Sequence, residues 1–453
     1  GYKRLADAVH QHEGRFLVQI GHAGANVGDT DAGRPLLAPS PVMSRLTREI
    51  PKQMTTSEID ELVEAHGAAS IRVRKGGLDG VELLSAFGYL PVAFLSPYSN
   101  NRSDDYGGAL ENRMRFLLRT IDAIRTGIGN KLILGVRIPG DEAIDGGLSQ
   151  SDLQDIAALI AETGQVDYLN IIFGTNYDRS GRVQHWPPTP APHGLFVPLA
   201  AAIKSRVAVP VFTTGRITNP LMANSIIEKG EADMVGMTRA QISDPNLVQK
   251  LIEGRPQDIR PCVGANLCIA QAMASKPIRC IHNPISGREN TWGEASQTDA
   301  PKNVTVIGGG PAGLEAARVA ADRGHRVTIF EASEELGGQL SIWAQAPMTR
   351  EFGKTLNWYR TQLTQLQVRI LTNQRLSPKN VAELDADVLI LATGAVAASP
   401  LPTAEGPNAI SVIDPWQAIT DCPTGQHILI NDEGGGRTAL SAADALLDQN
   451  QIT

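Results

Sequence analysis

The sequence predicts an α/β protein that consists of an incomplete (β/α)8 barrel followed by a nucleotide-binding domain. Apolar strands alternate with helical segments six times before residue 255, and a glycine-rich strand–turn–helix begins near residue 303. Strands that are apolar throughout are typical of a parallel sheet covered on both faces. A closed barrel of this kind has eight strands. We therefore expect the first two strands to lie upstream of Gly1 and the nucleotide domain to continue beyond Thr453.

Length and composition restrict the class of protein. A chain of 453 residues exceeds one hydrophobic core and indicates two domains. Its net charge of -7 argues against binding to nucleic acid or to an anionic membrane. No apolar stretch reaches the roughly 20 residues of a membrane helix, and no signal-like segment opens the chain, so we expect a cytoplasmic protein. Three of the four cysteines cluster, which favours a metal site over a disulfide scaffold.

The predicted barrel covers residues 1–255 and its elements follow in order. After a first helix over Gly1–Gly14, the strands are Phe16–Ile20, Gly80–Leu84, Leu132–Pro139, Val166–Phe173 and the segments PVFTTG and ADMVGM. The helices are Thr56–Val73, Glu111–Ile128, Ser151–Thr163, Val197–Ser205, a helix from Asn219, and Asn246–Gly254. Thr55 and Glu58 form a capping-box signature. Long loops are expected from Leu84 to Tyr106 and after Phe173.

A cysteine segment, residues 256–298, joins the two domains. Cys262, Cys268 and Cys280 have nearly the spacing of an iron–sulfur site, but Ala265 stands where a further thiolate belongs. A cubane bound only by cysteine needs four thiolates. Three cysteines leave open a three-iron cluster, a four-iron cluster with a ligand such as His282 or Asn266, and a lost cluster. Cys422, the fourth cysteine, is too far along the chain for us to expect it there.

Residues 299–453 carry a dinucleotide-binding signature, VTVIGGGPAGLEAARVAADRGHRVTIFEA. Glycine is required for the tight turn and for close approach of the backbone to a pyrophosphate. Glu331 is the acidic residue at the end of the second strand of this signature. In that position it would accept hydrogen bonds from ribose hydroxyls and disfavour a 2′-phosphate. The segment LILATGA, Leu389–Ala395, fits a second flavin-domain signature. The candidate FAD or ADP ligands are Gly308, Gly310, Gly313, Glu331, Gly338 and Gln339.

Three long segments carry a resemblance to a known family: GYLPVAFLSPYSNNRSDDYGGALENRMRF, VRIPGDEAIDGGLS, and VGMTRAQISDPNLVQKLIEGR leading into the cysteines. The chain resembles the old yellow enzyme superfamily over nearly its whole length. Within that superfamily it is similar to the multidomain branch of 2,4-dienoyl-CoA reductase and trimethylamine dehydrogenase. MVGMTRAQISDP followed by RPCVGANLCI is most similar to N-methylproline and dimethylglycine demethylase-like proteins.

The resemblance implies FMN at the mouth of the barrel. Gln19 matches the residue that hydrogen-bonds the flavin pyrimidine edge, and Arg137 matches a cation near N1 and O2 that stabilises the anionic reduced flavin. A structural ion pair at Arg137 and a simple turn at Gly215 are the alternatives. The candidate phosphate-binding residues follow the last two strands and are Gly215, Arg216, Gly236, Thr238 and Arg239.

The substrate side departs from the family pattern. Old yellow enzyme reductases have H-x-x-H or H-x-x-N with Tyr two residues later, whereas this chain has Leu84 and Phe87 followed by Tyr89. Loss of the donor pair removes oxyanion-type stabilisation worth about 3 kcal/mol per donor, which disfavours reduction of an enone or enoyl group. Oxidation of an amine C–H needs an apolar or aromatic wall instead, for which Tyr177 and Trp186 are further candidates.

Tyr89 is the candidate catalytic residue, as a general acid or a positioning hydroxyl. Two of these aromatic residues also have an alternative without a substrate role: Phe87 could be an ordinary core residue, and Trp186 could lie on a surface loop. Asp178 and His185 lie on the loop where the branch places an additional polar active-site residue.

We therefore expect a flavin-dependent amine dehydrogenase or demethylase, with a small-molecule amine as substrate. Electrons leave through the cluster, if present, to a protein acceptor such as an electron-transfer flavoprotein or an iron–sulfur partner. We also expect a homo-oligomer. The rival hypotheses are an NAD(P)H-dependent 2,4-dienoyl-CoA or enoate reductase and a non-catalytic electron-transfer subunit. After Gln426 no GxGxxG follows the strand, which weakens a separate NAD(P)H site.

Overall fold

A computed structural model of the chain describes residues 1–27, 35–293, 296–396, 411–432, 434–447 and 450–452. The chain divides into two units, Gly1–Met237 and Thr238–Thr453. By this division the cysteine segment belongs to the second unit.

The first unit is built on a parallel sheet whose described strands run in the order β1-β4-β5-β6-β7-β8. A short parallel pair, β2 and β3, lies between the first two of them in the chain. The strands are β1 Leu17–Ile20, β2 Leu37–Ala38, β3 Lys52–Gln53, β4 Gly80–Leu84, β5 Ile133–Pro139, β6 Tyr168–Ile172, β7 Val211–Thr213 and β8 Met234–Val235. The six strand–helix repeats predicted before the cysteines are confirmed.

Helices connect these strands, and capping side chains fix where two of them begin. Thr55 and Glu58 make the predicted capping box at the start of α2, and Ser149 with Asp152 makes another at α5. The helices of this unit are α1 Tyr2–His10, α2 Thr56–Lys75, α3 Leu90–Leu95, α4 Leu110–Ile128, α5 Gln150–Glu162, α6 Arg179–Gln184, α7 Val197–Lys204 and α8 Pro220–Glu228.

Two predicted loops contain helices, and those predictions are wrong. The segment after Leu84 forms α3, whose six residues are all buried. A fully apolar hexapeptide has no amphipathic period that distinguishes a helix from a strand. The loop after β6 forms α6, which Asp178 caps by accepting from the Gly181 amide.

Side chains alternate between the two faces of this sheet. One face packs apolar residues, such as Leu83, Val136 and Leu169, against α4 and α5 in the main core cluster. Full burial of each such side chain contributes about 1.5–3 kcal/mol. The other face carries the polar residues Glu82 and Arg137 of β4 and β5. The register that puts Gln19 opposite Glu82 therefore gathers polar groups on the face away from these helices.

The second unit contains a four-stranded parallel sheet in the order β11-β10-β9-β12 and a small parallel pair, β13 and β14, among the described residues. This is the predicted Rossmann-like arrangement. Its strands are β9 Asn303–Ile307, β10 Arg326–Phe330, β11 Arg369–Leu371, β12 Val388–Leu391, β13 His427–Ile428 and β14 Gln451–Ile452. Its helices are α9 Thr238–Ser243, α10 Leu247–Ile252, α11 Leu267–Met273, α12 Glu289–Trp292, α13 Pro311–Asp322, α14 Gln339–Trp343, α15 Gly353–Gln365, α16 Pro378–Ala382, α17 Pro415–Asp421 and α18 Arg437–Leu446.

Of the helices in the described part of the chain, none combines the length and apolar character needed to cross a bilayer.

Candidate functional site

A polar network joins Gln19 and Arg137, the two residues predicted to contact a flavin. It lies on the inner face of the first sheet, the face that points away from α4 and α5. The Gln19 amide Nε2 donates to Glu82 Oε1 at 2.6 Å, and Arg137 Nη1 lies 3.8 Å from the same oxygen. Tyr168 and Asn170 donate to the other carboxylate oxygen at 2.9 and 2.8 Å. Glu82 is thus the centre that brings Gln19 and Arg137 together.

Sequence reasoning missed Glu82, although it is a charged residue within the otherwise apolar strand GVELL. A charge in a buried strand demands partners, and that signal was available. Glu82 is 8% exposed. In the same register, Gly135 leaves room for the Tyr168 ring, because a Cβ there would lie 2.0 Å from Tyr168 Cζ.

Arg137 provides a partly buried cation with spare donor capacity, since its side chain is 23% exposed. Burial lowers the pKa of Arg137, and the Glu82 carboxylate opposes that shift. Its Nε atom is buried and has no hydrogen-bond partner among the described residues. An acceptor oxygen or nitrogen from a bound ring would satisfy this atom. The residues therefore fit the pyrimidine edge of a flavin, and their contact with one remains a prediction.

The predicted phosphate-binding residues of the first unit follow β7 and β8. Gly215 has φ +99°, and a Cβ there would lie 2.5 Å from the ring of Phe196. Arg216, only 3% exposed, has φ 58°. Gly236 packs equally tightly, since a Cβ would lie 2.7 Å from Thr214 Cγ2. Packing thus requires both glycines, and their contact with phosphate remains a prediction.

The other two predicted phosphate ligands, Thr238 and Arg239, belong to the second unit. Thr238 is the first residue of α9. Arg239 Nη1 donates to Asn266 Oδ1 at 2.6 Å and lines the cavity that the three clustered cysteines share. Within its own unit Arg239 is therefore a residue of the cysteine site.

An aromatic wall forms around Phe87 on the substrate side. Its ring lies 4.4 Å from His185, 6.0 Å from Tyr89 and 6.2 Å from Trp186, with Arg137 5.6 Å above it. Phe87 has φ 64°, which is unusual for a bulky residue. Its carbonyl accepts from the Asn176 amide, which helps to hold this backbone. Strain retained at one aromatic residue is typical of functional sites.

Leu84 and Tyr177 are placed differently from the rest of this wall. Leu84 is buried in a small apolar cluster with Ala86 and Ile172, on which Phe87 and Tyr89 pack. Tyr177 is buried and its ring lies 4.9 Å from that of Tyr98. Burial raises the pKa of Tyr89 and of Tyr177, so both phenols stay protonated at neutral pH.

His185 follows α6 and faces Phe87 from a buried position. Its Nδ1 lies 2.7 Å from the carbonyl oxygen of Phe173, and its Nε2 has no partner among the described residues. Burial lowers the pKa of His185 to about 4. Asp178 instead caps α6 through its carboxylate. Of the two polar residues suggested for this loop, His185 therefore reaches the aromatic wall.

The three clustered cysteines line one cavity within the second unit, together with Arg239, Ala265 and His282. Burial raises the pKa of Cys262 and of Cys268, while the Arg239 charge lowers both. No three His, Cys, Asp or Glu side chains within the described residues are arranged to hold a single metal ion. A four-iron cubane takes one protein ligand per iron, so its ligands surround a volume rather than a single metal ion.

The candidate fourth ligands differ in what they contact. Asn266 accepts from Arg239. His282 Nδ1 lies 3.0 Å from the Pro261 carbonyl, and its ring packs 5.1 Å from Trp358 on α15. The Sγ atom of Cys422 lies 3.4 Å from the Ala445 carbonyl oxygen and does not line this cavity. The site thus offers three thiols, with Ala265 at the predicted position of a fourth.

The glycine loop of the second unit shows a different constraint at each glycine. A Cβ at Gly308 would lie 2.2 Å from Ala392 O, and one at Gly313 would lie 1.9 Å from Gly308 O. A Cβ at Gly310 meets nothing within 4 Å. The first and third glycines are thus fixed by packing, while the second faces open space at the start of α13, where a pyrophosphate binds in such folds.

Glu331 directly follows β10 and touches this loop. Its Oε2 accepts from the Gly309 amide at 2.6 Å, and its Oε1 accepts from the Ser333 amide and hydroxyl. Gly338 approaches the loop, since its Cβ would lie 3.3 Å from Gly310 Cα, and Gln339 Nε2 donates to Ala395 O at 3.0 Å. The carboxylate has further lone pairs for ribose hydroxyls, so that role remains a prediction.

Comparison with known proteins defines the class. Residues 1–258 match the model of the NADH:flavin oxidoreductase / NADH oxidase family, and residues 302–451 match the pyridine nucleotide-disulphide oxidoreductase family. The chain belongs to the NADH:flavin oxidoreductase / NADH oxidase family, in a two-domain arrangement that confirms the predicted resemblance to multidomain old yellow enzymes.

The chain is similar to curated amine-oxidising relatives. It is 37% identical to the N,N-dimethylglycine/sarcosine dehydrogenase of Chromohalobacter salexigens, over 99% of this chain and 66% of that protein. It is also 37% identical to a probable N-methylproline demethylase of Rhizobium meliloti, over 98% of this chain and 65% of that protein. The chain thus spans about two thirds of the length of these relatives.

Among solved structures, the chain is similar to a 2-naphthoyl-CoA reductase in complex with 2-naphthoyl-CoA. The TM-score is 0.91 at 28% identity, covering 100% of this chain and 70% of the reductase. The proteins that this chain resembles therefore include both a dehydrogenase of methylated amino acids and a reductase.

Proposed function

We propose that this chain is the flavin-bearing part of a dehydrogenase that oxidises an N-methylated amine or amino acid. The substrate loses a hydride from its N-methyl carbon to the flavin, and the nitrogen lone pair forms the C=N bond. Water then adds to the resulting iminium, releasing formaldehyde and the demethylated amine. The two electrons leave to a protein acceptor, for which an electron-transfer flavoprotein is the candidate.

One observation carries this proposal: the predicted substrate side presents an aromatic wall in place of the superfamily's donor pair. Phe87 stands where reductases of the superfamily keep a donor, and its ring packs with those of Tyr89, His185 and Trp186. A carbonyl substrate gains less from such a wall, because Leu84 and Phe87 stand where the superfamily's donor pair would stabilise an oxyanion. A methylated nitrogen is well accommodated, because aromatic faces attract alkylated cations.

FMN is the cofactor proposed for the first unit, and it supplies the hydride acceptor when bound. Gln19 and Arg137 would hold its pyrimidine edge, with Glu82 fixing both side chains. Gly215, Arg216 and Gly236 remain the proposed phosphate residues of this unit. Thr238 and Arg239 belong to the second unit, and their phosphate role stays a prediction from the sequence.

The second unit is proposed to bind FAD or ADP at Gly308, Gly310 and Gly313, and an iron–sulfur cluster at Cys262, Cys268 and Cys280. The three thiols and the Arg239 cation fit an anionic cluster with three cysteine ligands. A four-cysteine cubane does not fit, because Ala265 supplies no ligand.

A reductase is the second candidate function, favoured by the similarity to 2-naphthoyl-CoA reductase. Anaerobic spectroscopy of the full-length, flavin-loaded protein separates the candidates. We expect N,N-dimethylglycine, sarcosine or N-methylproline to bleach the flavin and release formaldehyde, and NADPH to reduce it slowly. Fast reduction by NADPH with no bleaching by any amine would overturn the proposal in favour of the reductase. Bleaching by neither would indicate a non-catalytic electron-transfer subunit.

A further inference from the structure

The two ring nitrogens of His185 differ: Nδ1 is hydrogen-bonded to the backbone, whereas Nε2 has no partner among the described residues. Nδ1 lies 2.7 Å from the Phe173 carbonyl oxygen, which accepts only and therefore places the ring proton on Nδ1. Nε2 then carries a lone pair. It is buried without a partner among the described residues, and the whole residue is only 6% exposed. A buried acceptor without a donor is costly, which marks it as a contact reserved for a ligand.

The surroundings fix this ring firmly. It packs edge-on against Phe87 at 4.4 Å and beside Trp186 at 5.6 Å. The ring also packs against Gly174, where a Cβ would lie 3.4 Å from His185 Cε1, at ordinary van der Waals contact. The acceptor therefore lies in the aromatic wall, at a place set by packing on several sides.

The charges nearby favour an acceptor that stays neutral. Burial, together with the charges of Arg182 and Arg137, lowers the pKa of His185 to about 4. His185 is then an uncharged acceptor throughout the neutral range. Two cations close to the ring also favour a ligand that brings its own negative charge.

We propose that His185 Nε2 accepts a hydrogen bond from the N–H of the substrate amine and so selects zwitterionic amino acids with at least one N–H. The assignment rests on the proposed amine oxidation and adds a positioning residue to it. Secondary amines and protonated tertiary amines provide the donor on binding, whereas a quaternary ammonium has none. A protonated amine then loses a proton to water before hydride transfer, because its lone pair must form the C=N bond. The aromatic wall takes the N-methyl group, and His185 orients the nitrogen that carries it.

Two isosteric inhibitors isolate this hydrogen bond. 2-Aminoisobutyrate and pivalate have the same shape and the same carboxylate, but an ammonium replaces one methyl group in the former. Neither carries an N-methyl group. Their inhibition constants are measured on the full-length, flavin-loaded protein with N,N-dimethylglycine as substrate. We expect the wild type to prefer 2-aminoisobutyrate.

The variants are H185F, which keeps a ring but has no acceptor, and H185Q, which keeps one. H66F is the matched control, because His66 is also buried with Nδ1 on a backbone carbonyl, 2.7 Å from Leu62 O. A hydrogen bond to a charged group corresponds to about a 10- to 100-fold difference in affinity. H185F should lose that preference, H185Q should keep part of it, and H66F should keep it fully.

The outcomes are distinct from those that test the function itself. An unchanged inhibitor preference in H185F, with amine oxidation intact in the wild type, overturns the role of His185 alone. If no N-methylated amine bleaches the wild-type flavin, the proposed function fails and this assignment fails with it. If H185F does not fold, H185L, which also has no acceptor, takes its place: a wild-type preference in H185L overturns the role.

Discussion

Nη1 of Arg137 lies 3.8 Å from Oε1 of Glu82, and the two side chains come from neighbouring parallel strands. Arg137 therefore places a positive charge on the inner face of the sheet, and the Glu82 carboxylate partly offsets that charge. Gln19 donates to the same carboxylate oxygen. The charge that a bound flavin meets is thus set by a pair of residues rather than by the arginine alone.

E82Q should raise the reduction potential of the bound flavin. Removal of the carboxylate leaves the Arg137 cation unopposed, and a cation stabilises anionic reduced flavin. A change of about 1–3 kcal/mol in that stabilisation corresponds to about 20–60 mV for two electrons. Anaerobic redox titration with a reference dye measures it. Y168F is the matched control, because it removes a hydrogen bond to Glu82 but keeps the charge; a lower potential in E82Q would contradict the prediction.

G310A and G313A should separate nucleotide binding from folding. Gly310 has φ -76° and its Cβ meets nothing, so alanine should change the free energy of unfolding by less than about 1 kcal/mol. The added methyl group would occupy the space expected for a pyrophosphate and should lower FAD or ADP occupancy. In G313A the Cβ meets Gly308 O at 1.9 Å, which should cost at least about 3 kcal/mol. Normal nucleotide content in folded G310A would refute this placement.

A265C should convert the cysteine site to one with four thiolates. Ala265 lines the same cavity as Cys262, Cys268 and Cys280, so a thiol there reaches the same group. We expect iron and acid-labile sulfide in the wild type, and the four-iron value of both in A265C. Electron paramagnetic resonance of both proteins distinguishes the cluster types. Iron near zero in the wild type, prepared anaerobically, would remove the cluster from the proposed electron route.

Glu142 should make the protein less stable as the pH rises through the neutral range. Burial raises the pKa of Glu142 to about 7, although Ser96 and the Leu148 amide donate to its carboxylate. The folded state then binds more protons than the unfolded state between pH 4.5 and 7, so the free energy of unfolding falls over that window. The loss approaches about 3 kcal/mol above pH 7.

E142Q should remove this dependence, because its amide does not titrate. Urea unfolding at pH 4.5, 6 and 8 measures the difference between variant and wild type. The difference should shift in favour of E142Q as the pH rises. E61Q, on the exposed face of α2, is the control and should keep the wild-type profile. A constant difference between E142Q and wild type would contradict the assignment.

Local chemistry made much of this protein predictable. The capping box of Thr55 and Glu58 needs only residues three apart, and the glycine loop from Gly308 to Gly313 needs only its own turn. The strand–helix repeats follow from apolar runs of ordinary length. The helix Leu90–Leu95 was not predicted, because six consecutive apolar residues fit a helix or a strand equally well.

The sequence by itself determined the two-domain α/β class, the family, the glycine loop and the clustering of three cysteines around Ala265. Tertiary structure alone decided which distant side chains meet. Gln19 reaches Glu82 across 63 positions because strand register places them opposite each other. His185 meets Phe87 because α6 folds back onto the wall, and Arg239 joins the cysteines by packing within the second unit. Such contacts depend on register and packing over the whole fold, which no local pattern of residues encodes.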